Sequence, residues 1–281
     1  MRGRRSSRRL HIPRSPLRRL ALAVVVVLCA LAFYYYGAQR TPAPEIEQPL
    51  PVRFSVEQEV ALGQQAAPYM LGRYGGLNPD PQAQRLIERV GGRLVARSTA
   101  GEASYRFTFS LLADDHTVNA LALPGGPIFM TTGLGARLRT EGEIAGVLAH
   151  QMGHVLGRHA AEALDSALRD QALPPPSVIA AYDPQNPDGD AHELVTELIA
   201  RALEMSYGHE AEREADTLAV RLMSEAGYDP HALLGALAVL EAVEERPAFY
   251  NTHSTPAGRI NHIQHAIDIA FPEGIPAGMV K

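Results

Sequence analysis

The stretch VLAHQMGHVLGRH, Val147 to His159, decides how this chain is read. It reads as helix, and it places His150 and His154 four residues apart. On a helix, positions i and i+4 share a face about one turn apart, so both imidazoles can reach one ion. A bare pair of that kind is usually two solvated or structural histidines. The pair needs partners elsewhere in the chain before it carries chemistry.

Working outward, the helix bearing the two histidines is predicted over Thr140–Ala163. A catalytic zinc arrangement needs a third protein ligand and an open position. HEAEREADTLA, His209 to Ala219, offers the candidate: Glu212 and Asp216 are again four apart on a helical face. Glu212 could ligate, and Asp216 could accept from the other ring nitrogen of a ligand histidine and orient it. An acidic run such as EREAD is most often a solvated helix face. The strength lies in two i,i+4 pairs, in this order, on predicted helices.

The N-terminal portion has a different composition. Nine of the 26 basic residues are arginines within residues 1–40, which contain no acid, so the remaining 17 bases face all 31 acids, a net of −14. That balance argues against a nucleic-acid partner for the body of the chain. LALAVVVVLCALAFYYYGA, Leu20 to Ala38, is uncharged and just long enough to span a bilayer. Arg18 and Arg19 on its N-terminal side put the N-terminus in the cytoplasm and the body outside. The alternative is a cleaved signal peptide, since Ala30-Leu31-Ala32 has the small-x-small form. The expectation is an uncleaved, single-pass anchor in the inner (cytoplasmic) membrane with an extracytoplasmic, periplasmic body. Cys29 is the only cysteine, so no intrachain disulfide forms.

The organisation expected is a basic N-terminus (1–19), the anchor (20–38), a proline-rich tether (39–54) and one domain (55–281). Ser55 and Gln58 form a capping box opening a helix to about Leu71. Asp80-Pro81 opens a second helix ending near Arg97. YRFTFSLL (Tyr105–Leu112) and PIFMTTG (Pro127–Gly133) read as strands, with Pro124, Gly125 and Gly126 before the second. Leu173–Asp190 holds five prolines and cannot be a long regular element. Helical periodicity resumes over His192–Ala226, with a break near Gly208, and Gly227 closes it. Asp229-Pro230 starts another helix, and a last one follows Pro256. The fold class is α+β: a mainly helical domain with a small β-sheet beside the histidine-bearing helix, preceded by one transmembrane helix.

Four segments, NALALPGGPIFMTTGL, EIAGVLAHQMGHVLGRH, SYGHEAEREADTLAVRLMSEAGYDP and NTHSTPAGRI, resemble family forty-eight of the zinc metallopeptidases. That family holds the HtpX-like and CAAX prenyl-protein peptidases and membrane-anchored periplasmic relatives. The resemblance runs from about Ser55 to Ala270. It implies a gluzincin-type domain with one zinc ion, held by His150, His154 and Glu212, and Asp216 behind them. It implies proteolysis of misfolded or unassembled envelope polypeptides, and it places His253 near the metal.

Three positions depart from the family pattern: Gln151 for the glutamate of H-E-x-x-H, His209 for arginine, and Ser254 for the proline after the histidine. The first touches the mechanism. An amide has no basic site near pH 7 and cannot relay the proton of an attacking water. Losing a positioned general base costs roughly 10²–10⁴-fold in rate. Two readings therefore stand: a membrane-anchored metalloendopeptidase with impaired chemistry, or a zinc-binding pseudoprotease that acts as a chaperone-like binder.

The sequence also suggests how a substrate is held. Ile128, Phe129, Met130 and Thr131 lie in a strand whose free edge could pair with an extended peptide. The rival is an ordinary core strand. Leu173–Asp190 could lie over the groove as a lid. His253 could take the open metal position at rest, or donate to the developing oxyanion.

Overall fold

Ser55 opens the first helix as its sequence predicts. Its hydroxyl accepts from Gln58 N at 3.3 Å while Gln58 Oε1 accepts from Ser55 N at 2.8 Å, so two otherwise orphaned N–H groups are satisfied reciprocally. The computed structural model describes residues 54–170, 195, 198, 200–201, 206–243, 247–255 and 258–281. The basic N-terminus, the expected span Leu20–Ala38, the tether up to residue 53 and the proline-rich segment Leu173–Asp190 lie outside the described residues. Among the described residues, no helix is long and apolar enough to cross a membrane.

Helix α1 (Val56–Arg73) is followed by α2 (Pro81–Arg97), where Asp80 accepts from Gln82 N and Pro81 occupies the first turn. Three short strands come next: β1 (Thr108–Leu112), β2 (Ala120–Ala122) and β3 (Pro127–Thr131). The sheet order is β1-β3-β2, with β1 parallel and β2 antiparallel to β3. Gly125 and Gly126, at φ 77° and 128°, turn the β2–β3 connection through backbone conformations that a side chain disfavours. Alternation along β3 divides the core. Ile128 and Met130 join the larger apolar cluster, while Phe129 packs with Leu62, Met70 and Leu164 in the smaller one.

A one-turn helix, α3 (Thr132–Gly135), leads to α4 (Glu141–Leu156), capped by Thr140 Oγ1 accepting from Glu143 N. Every residue of α4 from Ile144 to Val155 is buried, so this helix is the core's central rod rather than an amphipathic surface element. The predicted single helix Thr140–Ala163 is in fact two. The chain turns at Gly157 and at Arg158, which takes φ 60°, and restarts as α5 (His159–Asp170). Arg158 is held in that left-handed corner by Glu59 and by the carbonyl of Phe54, contacts no local pattern announces.

The break expected near Gly208 is present: α6 (His209–Ala226) begins there and ends at Gly227, φ 77°. Helix α7 (His231–Glu241), the short α8 (Phe249–Thr252) and α9 (Arg259–Ala270) complete the described residues. The architecture is α+β, mostly helical, with α4 packed between the sheet, α2, α6 and α7.

Candidate metal centre

Helices α4 and α6 build the site because they approach closely at one small residue. A Cβ at Gly153 would meet Ala215 O at 2.6 Å and Ala215 Cα at 2.9 Å. Gly153 lies between His150 and His154, and Ala215 between Glu212 and Asp216, so this contact brings the two i,i+4 pairs face to face. All four side chains are at most 1% exposed.

His150 Nε2 and His154 Nε2 are 3.1 Å apart, and they lie 3.7 and 3.5 Å from Glu212 Oε2 and Oε1. His253, from the end of α8, brings a fourth donor; ligand atoms of the four residues all fall within 4.8 Å of one another. Donor atoms around a tetrahedral zinc at about 2.0–2.1 Å are roughly 3.3 Å apart. The observed separations bracket that value.

Hydrogen bonding behind the cluster fixes the ring tautomers. His150 Nδ1 lies 3.0 Å from Asp216 Oδ1, a carboxylate that can only accept, so Nδ1 carries the proton and Nε2 keeps its lone pair. His253 Nδ1 lies 3.2 Å from Phe249 O and 2.8 Å from Thr252 Oγ1, and its Nε2 lies 3.1 Å from Gln151 Nε2. His154 Nδ1 is 3.0 Å from His159 Nδ1, whose Nε2 is 3.5 Å from Glu214 Oε2. Donation in sequence from His154 to His159 to Glu214 satisfies all three. With both Nδ1 atoms protonated, the two Nε2 lone pairs of His150 and His154 face each other across 3.1 Å, and Arg259 Nη2 lies 3.5 Å from that of His150.

At Glu212 both carboxylate oxygens are buried; Arg259 Nη1 lies 2.8 Å from Oε2, and no side chain among the described residues makes a directed hydrogen bond to Oε1. Burial pushes this carboxyl up to about 8, against the pull of the Arg259 charge. For Asp216, burial is outweighed by hydrogen bonds from Arg259 and His150, which hold it at about 2. Burial holds His154 and His253 well below the ordinary histidine range, helped by neighbouring positive charge, and lowers His150 as well. The imidazoles are neutral, as metal ligands must be.

Gln151 is fully buried; its Nε2 faces His253 and lies 3.4 Å from Ala120 O, while its Oε1 has no partner among the described residues. A cleft of about 420 Å³, lined by Asn119, Leu121 and Thr252 among others, runs beside this edge of the sheet.

The substrate strand requires a correction. Ile128, Phe129, Met130 and Thr131 are buried, and β3 is paired on both sides, with β1 and with β2. It has no free edge, because the sequence reading did not foresee β2. The open edge beside Gln151 belongs to Ala120–Ala122. The proposed lid, Leu173–Asp190, lies outside the described residues.

Sequence reading also missed four neighbours of the cluster. His159 closes the opening stretch, but only the helix break at Gly157–Arg158 turns it onto His154. Tyr207 stacks on the His154 ring, centroids 4.0 Å apart at 20°. Glu214 was hidden in an acidic run. Arg259 reaches both Glu212 and Asp216 from another helix.

Residues 81–267 match the model of peptidase family M48. The chain is 28% identical over 227 residues to a beta-barrel assembly-enhancing protease of Yersinia pestis, covering 78% of this chain and 46% of that protein. It is 26% identical over 215 residues to the protein of the same name in Escherichia coli (strain K12), 73% of this chain and 43% of the other. It is 28% identical over 233 residues to the mitochondrial metalloendopeptidase OMA1 of Schizosaccharomyces pombe, 81% and 64% respectively. The matched region thus spans about half the length of these relatives, less for the bacterial two.

Proposed function

We propose, given that this chain belongs to peptidase family M48, that it is a zinc metalloendopeptidase whose proton-relay position holds Gln151. The observation that carries the reading is the convergence of unshared electron pairs. His150 Nε2 and His154 Nε2 face each other at 3.1 Å, 3.7 and 3.5 Å from the oxygens of a buried carboxylate. On this reading His150, His154 and Glu212 hold the ion, Asp216 orients His150, and His253 stands beside them either as a resting fourth ligand or as an oxyanion donor. Zinc, when bound, makes water acidic and polarises a peptide carbonyl.

The remaining chemistry falls to the chain's own groups. An extended polypeptide pairs along the outer edge of β2, where main-chain recognition makes little demand on side-chain identity. Ala120 O, now an acceptor for Gln151, faces that edge. The Gln151 amide can orient a water by hydrogen bonding but cannot accept its proton. Substrates would be misfolded or unassembled envelope polypeptides; the bacterial relatives are named for enhancing beta-barrel assembly. Leu20–Ala38 would anchor the domain in the inner membrane with the site on the periplasmic side.

Gln151 also favours a second reading, a zinc-binding pseudoprotease that holds chains without cutting them. Gln151→Glu tests the choice on an unfolded protein substrate. Peptidase action predicts a rise in cleavage of at least ~10²-fold; a variant as inert as the parent supports the binder. In that variant background, His253→Ala should raise turnover further if His253 caps the resting site, and lower it if His253 stabilises the transition state.

A further inference from the structure

Arg259, the first residue of α9, is 3% exposed and lies among the very groups assigned to the metal. Its Nε and Nη2 fork onto Asp216 Oδ2 and Oδ1 at 2.8 and 2.6 Å. Its Nη1 lies 2.8 Å from Glu212 Oε2 and donates to Ser254 O at 3.2 Å. Nη2 also lies 3.4 Å from His150 Nδ1. One guanidinium thus touches a carboxylate in ligand position, the acceptor that orients a ligand histidine, and the segment that carries His253.

We propose that Arg259 is the positioning residue of this centre: it sets the third ligand, Glu212, against the histidine pair and fixes the His253 segment beside them. The inference rests on the metal-site reading and adds a residue to it. Two carboxylates one turn apart on α6, both fully buried, repel each other. An uncompensated buried charge there is strongly destabilising. A planar fork can address two carboxylates in one fixed geometry, which a lysine ammonium, a point charge on a flexible stem, cannot do. Because Nη1 meets only Oε2, Oε1 and the remaining lone pair of Oε2 stay available to the ion. Arg259 therefore holds Glu212 by charge and leaves its lone pairs turned toward His150 and His154.

The test is a chelator-competition titration of zinc on the full chain, with Arg259→Met and Arg259→Lys beside the parent. Absorption of the cobalt-loaded proteins and thermal unfolding with and without zinc are read in parallel. Positioning predicts a zinc Kd raised about 10–100-fold in Arg259→Met, the range for residues that orient metal ligands. Arg259→Lys should fall between, with an altered cobalt spectrum because charge returns without the fork. A merely structural arginine would lower the unfolding temperature equally with and without zinc and leave Kd unchanged. That result, or a tighter Kd from removing a positive charge near the ion, overturns the proposal. If Arg259→Met does not fold, Arg259→Lys decides: a parental Kd and cobalt spectrum overturn it. A parent that binds neither zinc nor cobalt overturns the metal-site reading itself, and this inference with it.

Discussion

Two buried carboxylates, Glu59 and Glu212, each meet an arginine, half-buried Arg158 in one case and buried Arg259 in the other, and the two differ in what they leave over. At Glu59, one oxygen accepts from Arg158 Nε and Nη2 at 2.9 and 2.6 Å and the other accepts from Tyr105 OH at 3.4 Å. Arg158 Nη2 also closes on Phe54 O. Every polar atom of that carboxylate is used, and the result is a corner joining α1 to the α4–α5 break. At Glu212 the arginine meets one oxygen at 2.8 Å, and both oxygens also face imidazole nitrogens, at 3.7 and 3.5 Å. A carboxylate whose oxygens are all used is architecture; one that faces two imidazole nitrogens has the donor set a metal ion needs.

The largest expected effect separates the two clusters directly. Glu212→Ala should reduce bound zinc from near one per chain to near none, with affinity falling by more than the ~100-fold typical of residues behind the ligands. Glu59→Ala should leave zinc content unchanged and lower folding stability by about 1–3 kcal/mol, the cost of leaving buried partners unsatisfied. Elemental analysis and denaturant unfolding on both variants check this. Equal metal content in the two would erase the distinction.

A second, smaller effect sharpens it by pH. Burial holds the Glu212 carboxyl at about 8 without metal, so zinc must displace a proton below that pH. Zinc affinity should therefore rise about tenfold per pH unit up to about 8 and then level off. Stability of the metal-free protein runs the other way. Folded Glu212 keeps its proton to higher pH than the unfolded chain does, so stability falls as pH rises from the ordinary carboxylate range to about 8. The slope is about 1.4 kcal/mol per unit where that one proton is the difference. Glu59 is raised by burial too, but its contribution is the same with zinc or without. Melting curves at several pH values, with and without zinc, isolate Glu212. A zinc-induced stabilisation independent of pH between 5 and 8 would remove it from the ligand set.

The smallest effect concerns the contact that brings α4 and α6 together. Gly153→Ala must push Ala215 away, since the added methyl would meet backbone at 2.6 Å. Overpacking of this kind costs about 1–3 kcal/mol. Because the displacement also separates the histidines from Glu212, zinc affinity should fall with stability. Loss of stability alone would show that α6 adjusts without moving its carboxylate.

The sequence by itself determined the elements whose causes are local. The capping box at Ser55, the Asp80-Pro81 start, the Gly208 break and the Gly227 stop each depend on residues within one helical turn. The four-residue spacings of His150 with His154, and of Glu212 with Asp216, were legible for the same reason, because a single helix makes neighbours of i and i+4. Other features depended on residues far apart in the chain. Three-residue β2 is too short to announce itself, yet it covers the edge of β3 and moves the open edge to Ala120–Ala122. The left-handed corner at Arg158 is held by Glu59, ninety-nine positions away, and that corner alone turns His159 onto His154. Arg259 reaches Asp216 across forty-three residues. Spacing along a helix is a property of the chain, whereas the sharing of a buried charge between helices exists only once they have packed.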